Sequence, residues 1–177
     1  MQTGFDPGMS IHTAIDMLLV AQQIHQDGDA GAKAVCFLLD FAKAYNSLDC
    51  CFLLAVVELC GFHDVFTNAV AALHRGATGV FLVNGIASSR TFSTCGILLC
   101  SPLTMLLFIL ALNVLFYMID QSPARGVRLP AENGEVHLRI CDYADDTSLY
   151  LGDKADAKTY RGILGRFSAV AGLKVNA

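Results

Sequence analysis

The sequence predicts an α/β (α+β) fold, a small antiparallel sheet with helices packed on one face. Three observations carry this. Apolar residues recur at helical spacing in segments opened by Ser, Asp or Pro and closed by Gly. Between them lie short runs that favour extended backbone. Near the C-terminal third, Val136, Leu138 and Ile140 alternate before a tight turn, and Thr147 to Leu151 follow it. The chain has 177 residues, 54% hydrophobic and 16% charged, enough apolar material for one domain with its own core.

In chain order, Ser10 caps a helix over Ile11 to Gln26, with Ile11, Ala14, Ile15, Leu18 and Leu19 on one face. Gly28 to Gly31 breaks it. Ala34 to Leu39 is a continuous apolar run ending at Asp40, which predicts a strand covered on both faces. Asp49 caps a helix to Cys60, and Gly61 stops it. Asp64 caps another, to about Arg75. Thr78 to Val83 and Ile86 to Phe92 flank Asn84-Gly85, a two-residue hairpin signal. Phe81, Phe92 and Phe108 are expected in the core. A long helix starts at Pro102. Arg125 to Leu129 and Glu135 to Cys141 are strands around a loop with Pro130 and Gly134. Asp153 caps a last helix, to about Ala171.

Bulk properties exclude several classes. Net charge is −4, which argues against a free-standing nucleic-acid binder unless basic parts lie outside these residues. Seven cysteines in no Cys-x-x-Cys pair, mostly among apolar neighbours, point to buried reduced thiols rather than a disulfide framework or zinc site. No secretory signal is expected, because Gly4 to Ser10 reads as a polar turn. Cys95 to Ile119 carries no charge and is long enough to span a bilayer. No basic flank follows promptly, so it reads as a buried core helix, with a membrane-associated protein as the alternative.

The chemistry concentrates at Tyr143-Ala144-Asp145-Asp146. Adjacent carboxylates repel each other, and Asp142 adds a third negative charge nearby. A hard divalent cation turns that cost into binding, because Mg²⁺ takes one or two carboxylates and completes its shell with phosphate oxygens. Asp40 ends a distant apolar run. If the two strands are neighbours, three carboxylates meet, the requirement of two-metal phosphoryl transfer. His12, His25, His63, His74 and His137 lack ligand spacing, and Asp49, Asp64 and Asp153 read as caps.

These residues resemble a reverse transcriptase, specifically the palm and part of the fingers of a non-LTR (LINE-type) retrotransposon polymerase. Gln2 to Ser10 is similar to a fingers motif. Leu39-Asp40-Phe41-Ala42-Lys43-Ala44-Tyr45 looks like the first catalytic motif. Val83-Asn84-Gly85, Gly96-Ile97 and Pro102-Leu103 resemble the hairpin and template-side helix. Tyr143 to Asp146 matches the second catalytic motif, and Gly172-Leu173-Lys174-Val175-Asn176 the element after the last palm helix.

The resemblance implies an RNA-directed DNA polymerase domain over residues 1–177, with 1–32 as partial fingers, 33–177 mainly palm, and neither thumb nor endonuclease. It implies Asp40, Asp145 and Asp146 as catalytic carboxylates, holding Mg²⁺ or Mn²⁺ with the Phe41 carbonyl. Phe41, Ala42, Lys43, Ala44 and Tyr45 would bind the nucleotide, with the Tyr45 ring excluding a 2′-hydroxyl. Pro102, Tyr143 and Lys174 would face template or primer. Expected partners are RNA template, DNA primer and dNTP, with no membrane and no stable protein partner, inside the cell in nucleus or cytoplasm. Departures are expected to weaken or abolish activity. Leu98, Leu99 and Cys100 stand where the family has Arg, Gln and Gly; Met9 replaces Arg, and Asn46 replaces Asp. The alternative is a degenerate retroelement remnant that keeps the fold without polymerising.

Overall fold

The computed structural model describes residues 10–27, 35–97, 102–131 and 134–176. In chain order the elements are α1 (Ile11–Asp27), β1 (Val35–Leu39), α2 (Ala44–Ser47), α3 (Cys50–Leu59), α4 (Asp64–His74), β2 (Thr78–Gly79), β3 (Leu82–Val83), β4 (Ile86–Ala87), β5 (Thr91–Phe92), α5 (Pro102–Asp120), β6 (Val127–Ala131), β7 (Gly134–Leu138), β8 (Ile140–Tyr143), β9 (Asp146–Leu151) and α6 (Lys154–Ala171). The mixed fold with small antiparallel sheets is the one expected.

The central sheet has the order β1-β9-β8, antiparallel throughout. Side chains alternate between its faces. Ile140, Leu149 and Leu151 join the main core with Leu107, Phe108, Leu112 and Leu115 of α5 and Tyr160, Ile163 and Phe167 of α6. Each such fully buried large side chain contributes about 1.5–3 kcal/mol. Cys141 and Tyr150 point the other way, against Ala21 of α1 and Val127, Leu129 and Leu138 of the β6–β7 ribbon. Helices α3, α5 and α6 therefore cover one face, while α1 and the ribbon cover the other. The Tyr160 hydroxyl ties α6 to the sheet by donating to the Tyr150 carbonyl at 3.0 Å.

Local signals landed where short-range chemistry decides. The Asp49 carboxylate accepts from Phe52 N at 2.8 Å and opens α3. Gly61 follows α3 with φ 78°. Asn84 (φ 50°) and Gly85 (φ 80°) form the turn between β3 and β4. Asp153 caps α6 by accepting from Ala155 N and Asp156 N at 2.7 and 3.0 Å. Helix α5 passes the length and apolarity test for a membrane span. Here its Leu107, Phe108, Ala111, Leu112, Leu115 and Ile119 are wholly covered by the core, while Leu106 and Tyr117 are exposed.

Several expectations need correction. β1 is an edge strand, and its apolar run is not covered on both faces: Val35 and Phe37 are exposed and Leu38 is 74% exposed. The cap of α4 is His63, whose Nδ1 accepts from Val65 N, and Asp64 is the first helical residue. The strand expected over Glu135 to Cys141 breaks at Arg139. β7 pairs with β6, while β8 pairs with β9, and the Arg139 carbonyl accepts from Tyr150 N at 2.9 Å. Phe81 and Phe92 are exposed, in or beside β2–β5 and β3–β4 ladders only two pairs long, whereas Phe108 is buried as expected. Among the described residues, six cysteines are free thiols, but Cys51, Cys60 and Cys95 are exposed and only Cys141 is buried.

Candidate active site

β1 ends at Leu39, directly across from Thr147 of β9. Carried one residue further, that register sets Asp40 beside Asp146. β8 and β9 meet at the pair Tyr143–Asp146, which leaves Ala144 and Asp145 as a two-residue turn. One end of the sheet therefore carries Asp40, Asp145 and Asp146 from strands more than a hundred residues apart in the chain. Asp40 and Asp146 are exposed, and Asp145 and Tyr143 are half-buried.

The two acid-bearing loops share a backbone feature. Among the described residues, three non-glycine residues take positive φ. Asn84 belongs to the hairpin turn, where that conformation is usual. The other two are Lys43 (φ 51°), three residues after Asp40, and Ala144 (φ 59°), immediately before Asp145. Ala144 opens the two-residue β8–β9 turn as Asn84 opens its own, so there the conformation belongs to the turn. At Lys43 it costs energy that the surrounding structure holds.

After Asp40 the chain is gripped closely. Phe41 is buried and forms an antiparallel bridge with Val175. Ala42 N donates to the Lys174 carbonyl and Asn176 N to the Asp40 carbonyl, both at 2.8 Å. The Asn176 side-chain amide donates to Asp40 Oδ2 at 2.8 Å. Lys43 then opens α2, whose Ala44 is buried. The Tyr45 ring packs on Phe108 of α5 with centroids 4.6 Å apart. Burial, and after it the nearby carboxylates of Asp145 and Asp146, push the Tyr45 hydroxyl up to about 12. Tyr45 therefore stays protonated beside the Asp145 carboxylate, which sets the first motif against the second.

Two glycines press on α2 and the turn after it. A Cβ on Gly96 would stand 2.7 Å from the Asn46 backbone, and one on Gly172 would stand 2.6 Å from the Ser47 carbonyl. Gly96 N donates to the Leu48 carbonyl and Ile97 N to the Tyr45 carbonyl. From the other side, Asp49 N donates to the Ala171 carbonyl at 2.9 Å.

Asp142 does not join the acidic group. It lies across from Thr147 on the helix-covered face and is only 1% exposed. Burial pushes its carboxyl up to about 7; the Thr147 side chain opposes that rise, and the charges of Asp145 and Asp146 add to it.

Among the described residues, no three Asp, Glu, His or Cys side chains are grouped to hold one ion. Asp40, Asp145 and Asp146 share one end of the sheet without closing into a three-ligand cluster. Asp40 is held by the Asn176 amide. The donor set still fits Mg²⁺ or Mn²⁺, because these ions take hard carboxylate oxygens and draw the rest of their shell from phosphates and water. Of the remaining expected residues, Lys174 lies beside Ala42 and Tyr143 beside Asp146, while Pro102 opens α5. Leu98, Leu99, Cys100 and the Gln2–Met9 motif fall outside the described residues. The sequence marks Asn176 only as part of the Gly172–Asn176 motif and Phe108 only as core; their contacts with Asp40 and Tyr45 join residues distant in the chain.

A family model described as reverse transcriptase (RNA-dependent DNA polymerase) matches residues 1–177. Among solved structures, apo telomerase from Candida tropicalis, truncated from its C-terminal domain, is similar with a TM-score of 0.60 at 10% identity, over 98% of this chain and 34% of that one. Telomerase from Candida albicans, in complex with a TWJ fragment of telomeric RNA, gives 0.53 at 13% identity, over 95% and 29%. At these identities the likeness is one of fold. The chain spans about a third of the length of those relatives.

Proposed function

The chain belongs to the reverse transcriptase family, whose activity is RNA-directed DNA polymerisation, and from that premise we propose that it is the palm, with part of the fingers, of a non-LTR-type enzyme. The single observation that carries the reading is the register of β1 on β9, which brings Asp40 to the turn bearing Asp145 and Asp146.

In this reading Asp40, Asp145, Asp146 and the Phe41 carbonyl would hold two Mg²⁺ or Mn²⁺ ions. Bound there, the metals supply Lewis acidity to the primer 3′-hydroxyl and neutralise the leaving pyrophosphate. The protein's own contribution is placement. The sheet register fixes the spacing between Asp40 and the Asp145 turn. Tyr45 is braced on Phe108, and its ring sits under the sugar of the incoming nucleotide, where it excludes a 2′-hydroxyl. Ala42 to Ala44 line the same loop. Pro102, Tyr143 and Lys174 face template and primer.

The same sequence argues for low turnover. Leu98 and Leu99 cannot make the hydrogen bonds of an Arg and a Gln, and Cys100 adds a side chain where the family has Gly. Phosphate contacts dominate nucleic-acid affinity, and a chain of net charge −4 grips phosphates poorly by itself. Those departures favour a second reading, a degenerate remnant that keeps the fold without polymerising.

Primer extension on an RNA template with Mg²⁺ or Mn²⁺ at low salt separates the two. The expected result is weak dNTP incorporation, abolished by Asp145→Ala and raised by combined Leu98→Arg, Leu99→Gln and Cys100→Gly. No incorporation by either the natural or the restored chain would support the remnant.

A further inference from the structure

We propose that Asn176 is a positioning residue for Asp40: its side-chain amide fixes the orientation of the carboxylate and leaves Asp40 Oδ1 as the oxygen offered to a divalent cation. This rests on the metal-binding reading given above. The bond joins residues 136 positions apart and is 2.8 Å long. Both residues are exposed, so the side-chain bond alone would compete poorly with water. It does not stand alone. The Asn176 backbone N–H donates to the Asp40 carbonyl, the Lys174 carbonyl accepts from Ala42, and Phe41 bridges Val175. Three residues on each side are thus in register before the amide makes its bond, and little further freedom is lost when it does.

The residue type matters. A carboxylate held by a lysine or arginine would have much of its charge cancelled and would bind a cation weakly. An aspartate at this place would repel it. A neutral amide donor can anchor one oxygen while leaving the full negative charge for the metal. Such outer partners orient ligating carboxylates in metal sites generally. The placement of Asn176 comes in turn from Gly172, which ends α6 in a left-handed conformation (φ 74°) and sends the chain back along residues 40–42.

The test is Mn²⁺ binding, followed by loss of the free-ion EPR signal, in the natural chain, Asn176→Ala, Asp40→Ala and the double variant. Asn176→Ala is expected to weaken Mn²⁺ binding about 10-fold, the lower end for loss of an outer partner. Its circular dichroism and Tm should be unchanged, because the backbone bonds of residue 176 remain. In the Asp40→Ala background the same substitution should have no further effect, since the carboxylate it positions is gone. Unchanged affinity in Asn176→Ala, a loss that persists without Asp40, or unfolding of the variant would each overturn the positioning role. If Asp40→Ala itself binds Mn²⁺ like the natural chain, the metal assignment of Asp40 falls, and the positioning role with it.

Discussion

Asp142 sits three residues before Asp145, yet its chemistry is opposite. The alternation of β8 turns it under the helices, where it is 1% exposed, while the turn carries Asp145 toward solvent. Its carboxyl rises from the ordinary 3.8 to about 7, chiefly through burial. The folded chain thus holds this proton more tightly than the unfolded one. The stability gained from it is complete below the ordinary carboxylate value and is lost as pH climbs through about 7. Asp142→Asn keeps the shape and removes the titration. It should raise Tm at about pH 8 and change it little at about pH 4. Thermal unfolding across that range checks this, and a variant that gains nothing on the alkaline side would contradict it. In the sequence Asp142 looks like a third member of the acidic cluster. Only the face it occupies, which depends on the strand pairing, separates it from the other two.

At the scale of elements, the start of α6 shows a second kind of carboxylate. Asp156 is buried and accepts backbone N–H bonds from Arg125 at 2.9 Å, Gly126 at 3.1 Å and Gly152 at 2.8 Å. Burial alone would raise its pKa, but these bonds outweigh burial and hold it below the ordinary value. It staples the segment just before β6 to the residue that follows β9. Asp156→Ala leaves three N–H groups without their acceptor and should cost about 3 kcal/mol or more in urea unfolding. Asp153→Ala, which removes only a cap, should cost about 1 kcal/mol. The comparison also shows what a sequence can carry. Asp153 is legible because its partners are two and three residues away. Asp156 is not, because Arg125 is 31 residues away. The same holds for strands. Asn84-Gly85 specifies its own turn, but the break at Arg139 depends on β7 and β8 joining different sheets.

For the whole molecule, the sheet order decides what the site can be. The apolar run before Asp40 was readable as a strand, and Tyr143 to Asp146 as a turn. That β1 lies at an edge, with Leu38 open to solvent, was not, because strand order is a long-range property. A cation shared by Asp40, just past β1, and the β8–β9 turn should stabilise the fold as one unit. Mn²⁺ at ten times its dissociation constant should add about 1.4 kcal/mol. In a domain of this size that is a rise of about 3–6 °C in Tm. Scanning calorimetry with Mn²⁺ and then with EDTA measures it. The rise should disappear on chelation and shrink in Asp145→Ala; an equal rise in that variant would place the cation elsewhere.

The short helix behind Tyr45 is wedged between Gly96 on one flank and Gly172 on the other, each with its missing methyl filled by neighbouring backbone. Three stretches of chain that meet nowhere in the sequence are therefore keyed together like stones of an arch. A single extra carbon at either glycine would reach the loop after Asp40 as displacement, though neither glycine is one of the acids. Genetic damage that silences this chain should accordingly fall on glycines as readily as on aspartates.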